Sequence, residues 1–468
     1  MIDIEQFAGK RVHMIGIGGS SMSGLVDFLL ARGIRVTGSD RDMSHHVEAL
    51  TEKGVPVLIG HRAENVHGAD LIVFSAAIHP DNPERAEARR LDIPEMERST
   101  LLGELMRGAD TAICVSGTHG KTTTSGMIGQ ALMDAGLNPC VHIGGELDSI
   151  HGGTRLGDPA LFVAEACEYH SSFLELRPSV AVILNVAGDH FDYYRDMDDY
   201  EKAFRDFLDR LTPDGTTVCW GEDARALRPA ISAGKRIVTF GWSRNNDCYP
   251  AGLTYDDFGR PRFDAVYRGT AEAHIELNIS GEFTVLNALA AYAACRQTAA
   301  SPADIAASLN RFTGVHRRFE LTGVVDGVRL YHDYGHNPEE MKAAVSVAMK
   351  QKANRVWAVM QPHTYSRVKR LFNDYLTCTK AADITLVTDI CAARESDPGD
   401  INSRMLVDGM QAHGVNAVLT PSFDDTERYL RQHWQAGDLV LTMGCGDINL
   451  LNEQIGAHGD TVKGSEQP

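Results

Sequence analysis

An α/β protein of three domains is predicted, on three observations. Short apolar runs alternate with helix-like stretches along the whole chain, several of those runs lead directly into a glycine-rich turn, and 468 residues make about three domains at ~150 residues each. Strand and helix in alternation imply parallel, doubly wound sheets. The composition, 43% apolar and 23% charged, is that of a globular chain able to bury several cores.

The first block, residues 1–108, opens with the strand RVHMIGI, the turn GGSSMSG and an apolar-periodic helix from Leu25 to Ala31, which Gly33 ends. IRVTGSD gives a second strand ending at Asp40, and LIVFSAA (71–77) a further buried one. A polar stretch near 95–110 leads into the second block, 109–316. Its central strands are AICVSG (112–117), LFVAEA (161–166) and VAVILNVAG (180–188), nearly continuous apolar runs that suit strands covered on both faces. Between about 235 and 285 short alternating segments such as HIELNIS predict an added antiparallel sheet, and the helix VLNALAAYAACRQTA closes the block. The third block, 317–460, begins at GVHRRFEL (314–321) and alternates again: VRLYHDYG, a helix from Pro338, RVWAVMQP, ITLVTDI, NAVLT and DLVLTMGCGD. The polar residues 461–468 read as a disordered tail. No repeat of 20–50 residues is visible.

Charge and cysteine usage exclude some functions. A net charge of −18 argues against nucleic acid or an anionic membrane as partner. The nine cysteines are scattered, with no C-x-x-C, which points to a reducing, cytoplasmic setting without a disulfide framework or zinc motif. MIDIEQFAGK is no signal peptide, and no apolar run approaches the ~20 residues of a membrane span.

Two glycine turns carry the chemistry. In GTHGKTTT (117–124) a strand precedes and a helix follows, so the turn and helix N-terminus can cradle phosphate oxygens. Lys121 would neutralise β/γ charge and Thr122 would ligate Mg²⁺. The strict P-loop has a glycine where Val115 stands; a tight turn with a solvent-facing lysine is the bland alternative. GIGGSSMSG (16–24), with Asp40 ending the next strand, approximates a dinucleotide fingerprint, although Ser21 occupies the last glycine position, so an NAD site stays open on this segment alone. In EACEYHSSF (165–173), Glu165 at a strand's carboxyl end is a metal candidate, and Glu168 is either a second carboxylate or helix surface. Asp189 and His190 of NVAGDHFDYY follow the next strand and would join Glu165 there if the two strands are neighbours; the acidic RDMDDYE after them reads as a solvated helix start. Arg317 and Arg318 suit phosphate recognition or interdomain ion pairs. Asp333, Tyr334, His336, His363, Tyr365 and Arg367 follow strands of the last block and would face one crevice, suited to a small charged substrate.

Together these segments resemble the Mur ligases of bacterial cell-wall synthesis, in order, over about residues 10–450. The resemblance implies a Rossmann-like first domain binding a UDP-sugar, a P-loop ATPase-like central domain with a parallel sheet binding ATP, and a Rossmann-like last domain closing on the amino acid. It implies ATP and Mg²⁺, two ions, as cofactors, and UDP-N-acetylmuramate and L-alanine as substrates joined through an acyl phosphate. ATP would meet Gly117, Thr118, His119, Gly120, Lys121, Thr122 and Thr123, with Asn287 at the adenine, Asp333 at the ribose and Arg317 at phosphate or hinge. The metal would be held by Thr122, Glu165 and His190. The UDP-sugar would meet Gly16, Gly18, Gly19, Ser20, Ser21, Met22, Ser39, Asp40, Ser75 and Ala76, and the amino acid Tyr334, His336, His363 and Arg367. Catalysis would rest on Lys121, His190 and Arg367. Family members that add later residues carry a carbamylated lysine; here Phe204 stands at that position, with Lys202 two residues off, as in the alanine-adding members. Ser21, Cys167, Phe283, Asn337 and Cys445 depart from the usual pattern. The alternatives are a recycling ligase that attaches a murein peptide, an NAD-dependent Rossmann oxidoreductase, and a regulator that binds nucleotide without turnover.

Overall fold

A computed structural model describes residues 2–188, 193–256, 258–393 and 395–458, together with the backbone of 461–462. Three sheets follow one another along the chain. The first is wholly parallel, in the order β3 (Val57–Ile59), β2 (Arg35–Asp40), β1 (Arg11–Ile15), β4 (Leu71–Phe74), β5 (Glu95–Glu97). The strand order reverses between β1 and β4, so the ligand crevice of such a sheet lies beyond Ile15 and Phe74. Helix α1 runs Ser20–Ala31, starting five residues before the apolar periodicity does, because Gly19 caps it and Ser20 to Gly24 form its first turn. Helices α2 (His45–Glu52), α3 (Pro83–Arg90) and α4 (Arg98–Leu105) complete the layer. The segment read as a polar linker is therefore strand and helix: Leu101, Leu102 and Leu105 of α4 are buried.

The second sheet has ten strands. From one edge they are β15 (Thr270–Glu276), β14 (Pro261–Tyr267), β13 (Cys248–Tyr255), β12 (Arg236–Phe240), β11 (Thr216–Trp220), β10 (Val180–Ile183), β6 (Thr111–Ser116), β9 (Asp158–Glu165), β7 (Pro139–Leu147) and β8 (Gly152–Arg155). The alternating segments near 235–285 thus extend this sheet rather than build another; only β14–β15 and β7–β8 pair antiparallel among the registers described. Helix α5 (Lys121–Asp134) follows β6; α6 (Met197–Leu208), α7 (Ala224–Ser232), α8 (Glu282–Cys295) and α9 (Pro302–Arg311) follow later. Asp196 caps α6, so the acidic run is indeed a helix start. Phe204 of α6 is fully buried, and Lys202 pairs with Asp206 on the surface.

One hydrophobic core runs through both sheets, which belong to a single compact unit (1–254, 262–278 and 283–313). Phe28 of α1 stacks on Phe162 of β9 at 5.4 Å. Gly24 permits this docking: a Cβ there would stand 2.0 Å from Thr154 Oγ1 of β8.

The second unit comprises 255–261, 279–282 and 314–468. Its sheet reads β20 (Ala417–Leu419), β19 (Ile384–Val387), β18 (Val356–Met360), β21 (Leu439–Met443), β17 (Val328–Asp333), β16 (Glu320–Val325), β22 (Thr461–Val462). Strand β18, VWAVM, shows why such strands read as continuous apolar runs. Val356, Ala358 and Met360 enter one core, while Trp357 and Val359 enter the core on the other face. Helix α10 (Pro338–Met349) begins with a capping box formed by Asn337 and Glu340.

Candidate active site

The turn between β6 and α5 has the geometry that a phosphate cradle needs. Gly117 (φ +132°) and Gly120 (φ +86°) take conformations that side chains disfavour. Asn185, just beyond β10, holds the turn from the next strand: its carbonyl accepts from Thr118 N–H (3.0 Å), its Oδ1 from His119 N–H (2.9 Å), and its Nδ2 donates to His119 O (3.0 Å). The amides of Thr118 and His119 are thereby occupied, and these two residues anchor the loop. Those of Gly120 to Thr123 stand at the open N-terminus of α5, where helix N–H groups lack intrahelical partners. Asn287 of α8 borders the same turn; a Cβ on Gly120 would lie 2.5 Å from its Oδ1.

Lys121 is folded into the loop. Its ammonium donates to Gly117 O (2.6 Å), Thr118 O (3.1 Å) and Glu168 Oε1 (2.9 Å). Burial disfavours the charged amine, but the carboxylate of Glu168, with Cys167 and Glu165 behind it, outweighs this and raises the pKa. Glu168 is fully buried, so it is the second carboxylate of the site and not helix surface. The Cys167 thiol is pushed up to about 11, first by burial and then by Glu168. Thr122 Oγ1 donates to Glu165 Oε2 (3.0 Å), which also accepts from Gly144 N–H (2.8 Å). Glu165 lies opposite Val115 in the register of β9 on β6, while β10 flanks β6 on its other side. The strands carrying Glu165 and the Asp189–His190 segment are therefore not neighbours but straddle the phosphate-loop strand. Asp189 and His190 themselves lie outside the described residues. His170 is exposed, between the rings of Tyr169 and Tyr193.

At the first sheet, Gly16 and Ser75 follow the adjacent strand ends Ile15 and Phe74. Gly16 and Ile17 N–H both donate to Ser39 O (2.8 and 3.1 Å), and Gly18 N–H donates to Asp40 Oδ2 (2.8 Å). The open amides are those of Ser20, Ser21 and Met22 in the first turn of α1, behind Gly19. Several predicted contacts are structural instead. The Met22 side chain is core. Ser39 Oγ donates to the buried Glu84 Oε2 (2.6 Å), a carboxylate that His13 and Asn65 also hold. Burial raises the pKa of Glu84, but these bonds outweigh it, and the net shift is downward. Ala76 is exposed.

Ser21 is occupied too. Arg98 Nη1 donates to its Oγ (2.9 Å), the same oxygen is hydrogen-bonded to His142 Nε2 (2.9 Å), and His142 Nδ1 is hydrogen-bonded to Thr154 Oγ1 (3.0 Å). Burial, with the charge of Arg98, lowers the pKa of His142 to about 3. Arg98, His142, Asn185 and Glu84 escaped the sequence reading. Each lies 20 or more residues from the turn it supports, and only the packing of strands and helices brings them there.

In the second unit, Arg317 (φ +64°) and Arg318 lie 4.9 and 5.0 Å from the Tyr334 ring. Arg317 Nε–H donates to His332 Nε2 (3.2 Å) and Nη2 to Gly446 O (2.9 Å). His332 is held neutral, with a pKa lowered to about 3 by burial and by Arg317. Asp333 accepts from Phe319 N–H (2.9 Å) and Gly335 N–H (2.7 Å), so both its oxygens shape the turn. Burial raises its pKa. His336 lies 5.6 Å from Tyr334 and 6.2 Å from His363, ring to ring, and Arg367 Nη1 is 3.3 Å from His363 Nδ1. Tyr334, His336, His363 and Arg367 thus form one cluster, while Tyr365 packs against the core.

Two phosphate-type turns in the first unit and a cationic cluster in the second suit a nucleotide-using enzyme of modular build, and comparison with known proteins shows which class. Three domain models match in order: Mur ligase family catalytic domain (11–109), middle domain (115–295) and glutamate ligase domain (317–446). The chain is 41% identical over 447 residues to the UDP-N-acetylmuramate–L-alanine ligase of Acetivibrio thermocellus, covering 95% of each. It is 43% identical over 454 residues to that of Caldanaerobacter subterraneus subsp. tengcongensis, covering 97% of this chain and 98% of the relative. The crystal structure of UDP-N-acetylmuramate–alanine ligase MurC from Thermotoga maritima superposes with a TM-score of 0.81 at 26% identity, over 95% of this chain and 98% of that one. A murein peptide ligase from Psychrobacter arcticus shares the fold, with a TM-score of 0.74 at 24% identity over 96% and 98%. The chain belongs to the Mur ligase family.

Proposed function

We propose that this protein is an ATP-dependent ligase that joins L-alanine to the carboxylate of UDP-N-acetylmuramate, in the cytoplasm, for peptidoglycan precursor synthesis. The observation that carries this reading is end-to-end identity above 40% with ligases of that name, which spans all three sheets rather than the phosphate loop alone. A Rossmann oxidoreductase would account only for the first sheet. No helix among the described residues is long and apolar enough to cross a membrane. We assign 1–108 to the UDP-sugar, 109–316 to ATP, 317–460 to the amino acid, and 461–468 to a tail, which the sequence reads as disordered throughout but whose Thr461 and Val462 pair with β16 as β22.

A carboxylate does not condense with an amine in water because its oxygen leaves poorly. In the proposed reaction the muramate carboxylate attacks the γ-phosphorus of ATP, giving an acyl phosphate and ADP. The amine of alanine then attacks the acyl carbon, phosphate leaves from the tetrahedral intermediate, and the amine's proton is lost to solvent. Lys121 exchanges a carbonyl partner for a phosphate oxygen and, with the amides of Gly120 to Thr123, stabilises the transferring charge. Thr122 and Glu165 fit Mg²⁺, being hard oxygen donors fixed 3.0 Å apart, with Glu165 Oε1 free of hydrogen bonds among the described residues. With His190 they would hold one or two ions, whose charge screens the carboxylate from the γ-phosphate. Asn287 would meet the adenine, and Tyr334, His336, His363 and Arg367 the amino acid.

The test is phosphate release from Mg–ATP and UDP-N-acetylmuramate, with and without L-alanine, and the mass of the product. Release that needs both substrates, with one alanyl residue added, is expected. Turnover with a murein tripeptide but not with alanine would transfer the chain to the recycling ligases.

A further inference from the structure

We propose that His45, His46 and Glu146 form a binding site for a divalent transition-metal ion of the Zn²⁺ class, separate from the Mg–ATP site. His45 and His46 open α2, and Glu146 lies near the end of β7, so the site joins the layer of the first sheet to the second sheet. One ligand atom from each residue lies within 4.8 Å of the others. His45 Nε2 and Glu146 Oε1 are 3.4 Å apart. Ligands ~2.0–2.1 Å from a tetrahedral ion are separated by about 3.3 Å, so this edge already has the required length. Consecutive helix residues normally diverge by about 100°. Here the two imidazoles converge, with ring centroids 3.9 Å apart and planes 39° from each other.

An exposed His–Glu ion pair would explain His45 and Glu146 alone. It does not explain the second imidazole, which is half-buried and whose nitrogens bond to no group among the described residues. Two imidazoles and one carboxylate select Zn²⁺, Co²⁺, Ni²⁺ or Cu²⁺ over Mg²⁺, which prefers oxygen ligands and water. Three protein ligands leave a fourth position for water. An ion there would tether α2, whose Ser44 cap and Val47 lie against Gly18 in the proposed UDP-sugar turn.

The experiment titrates the untagged, chelator-treated full-length protein with Co²⁺ and follows the visible absorption of tetrahedral cobalt. One equivalent is expected, displaced by Zn²⁺ and unaffected by millimolar Mg²⁺, and Zn²⁺ should raise the melting temperature. Glu146→Gln and His46→Gln should each weaken this equivalent about 100-fold or more and abolish the melting shift. His79→Ala, altering an exposed histidine paired with Asp81, should change neither. Because the ligands are not core residues, the metal-free variants should melt like wild type; if His46→Gln does not, Glu146→Gln decides alone. A cobalt equivalent that survives in the Glu146→Gln variant, or one that Mg²⁺ displaces, overturns the proposal.

Discussion

Lys121 and Glu168 are a buried ion pair as well as parts of the proposed phosphate site, and the two roles separate experimentally. Removing one partner of a buried pair leaves the other uncompensated and costs about 3–5 kcal/mol, while losing one charge-stabilising donor costs about 10²–10³ in kcat. Lys121→Ala is therefore expected to lose both stability and phosphate release. Adding Glu168→Gln removes the stranded charge, so the double variant should recover most of the stability and none of the turnover. Denaturant unfolding beside the phosphate assay reads both. Ligation at wild-type rate in Lys121→Ala would remove it from the active site, and a double variant no more stable than the single would dissolve the pair. Lys121, Thr122 and Glu165 were legible in the sequence because strand, turn and helix fix their surroundings locally. Glu168 was ambiguous because two readings of EACEYH put it on opposite sides of the chain, and only the buried lysine decides between them.

The elements show how far local signals reach. The strand-turn-helix units at Gly16 and Gly117 were readable because glycine, apolar run and helix periodicity sit side by side. The neighbour relations were not. The placement of β9 and β10 on opposite sides of β6, and of α1 on β8, depends on pairings between segments tens of residues apart. Likewise α4 was taken for a linker because its buried leucines sit among charged residues in a helix of two turns. Two glycines separate turn from packing. Gly120→Ala forces a side chain into a left-handed conformation, at about 1–2 kcal/mol, and against Asn287, so it should abolish ATP binding. Gly24→Ala overpacks the contact with Thr154, at about 1–3 kcal/mol, and should lower the melting temperature while leaving the ATP affinity of the folded protein unchanged. Calorimetric titration with ATP on both variants distinguishes them; equal loss of ATP affinity would show that the docking of α1, rather than the turn, shapes the site.

At the scale of the whole molecule, each unit contains a neutral histidine in the middle of a hydrogen-bonded chain: His142 between Ser21 and Thr154, and His332 between Arg317 and Thr442. Both have folded-state pKa values lowered to about 3. The unfolded chain takes up these protons near the ordinary value of about 6.5, so it binds more protons than the native state between those limits. The stability each histidine contributes is complete above pH 6.5 and is lost as pH falls toward 3. At pH 5 the loss is about 2 kcal/mol per histidine. Glu84, whose pKa is also lowered, adds a loss only at pH values below its ordinary 4.5, so from 6.5 to 4.5 the histidines dominate. Chemical denaturation at pH 7.5 and pH 5 should therefore show both units weakened at the lower pH. His142→Gln should flatten the dependence of the unit that contains the phosphate loop, and His332→Gln that of the other. An unchanged slope in His142→Gln would mean that Arg98 and burial do not hold this imidazole neutral, and would place the acid sensitivity of that unit in its carboxylates.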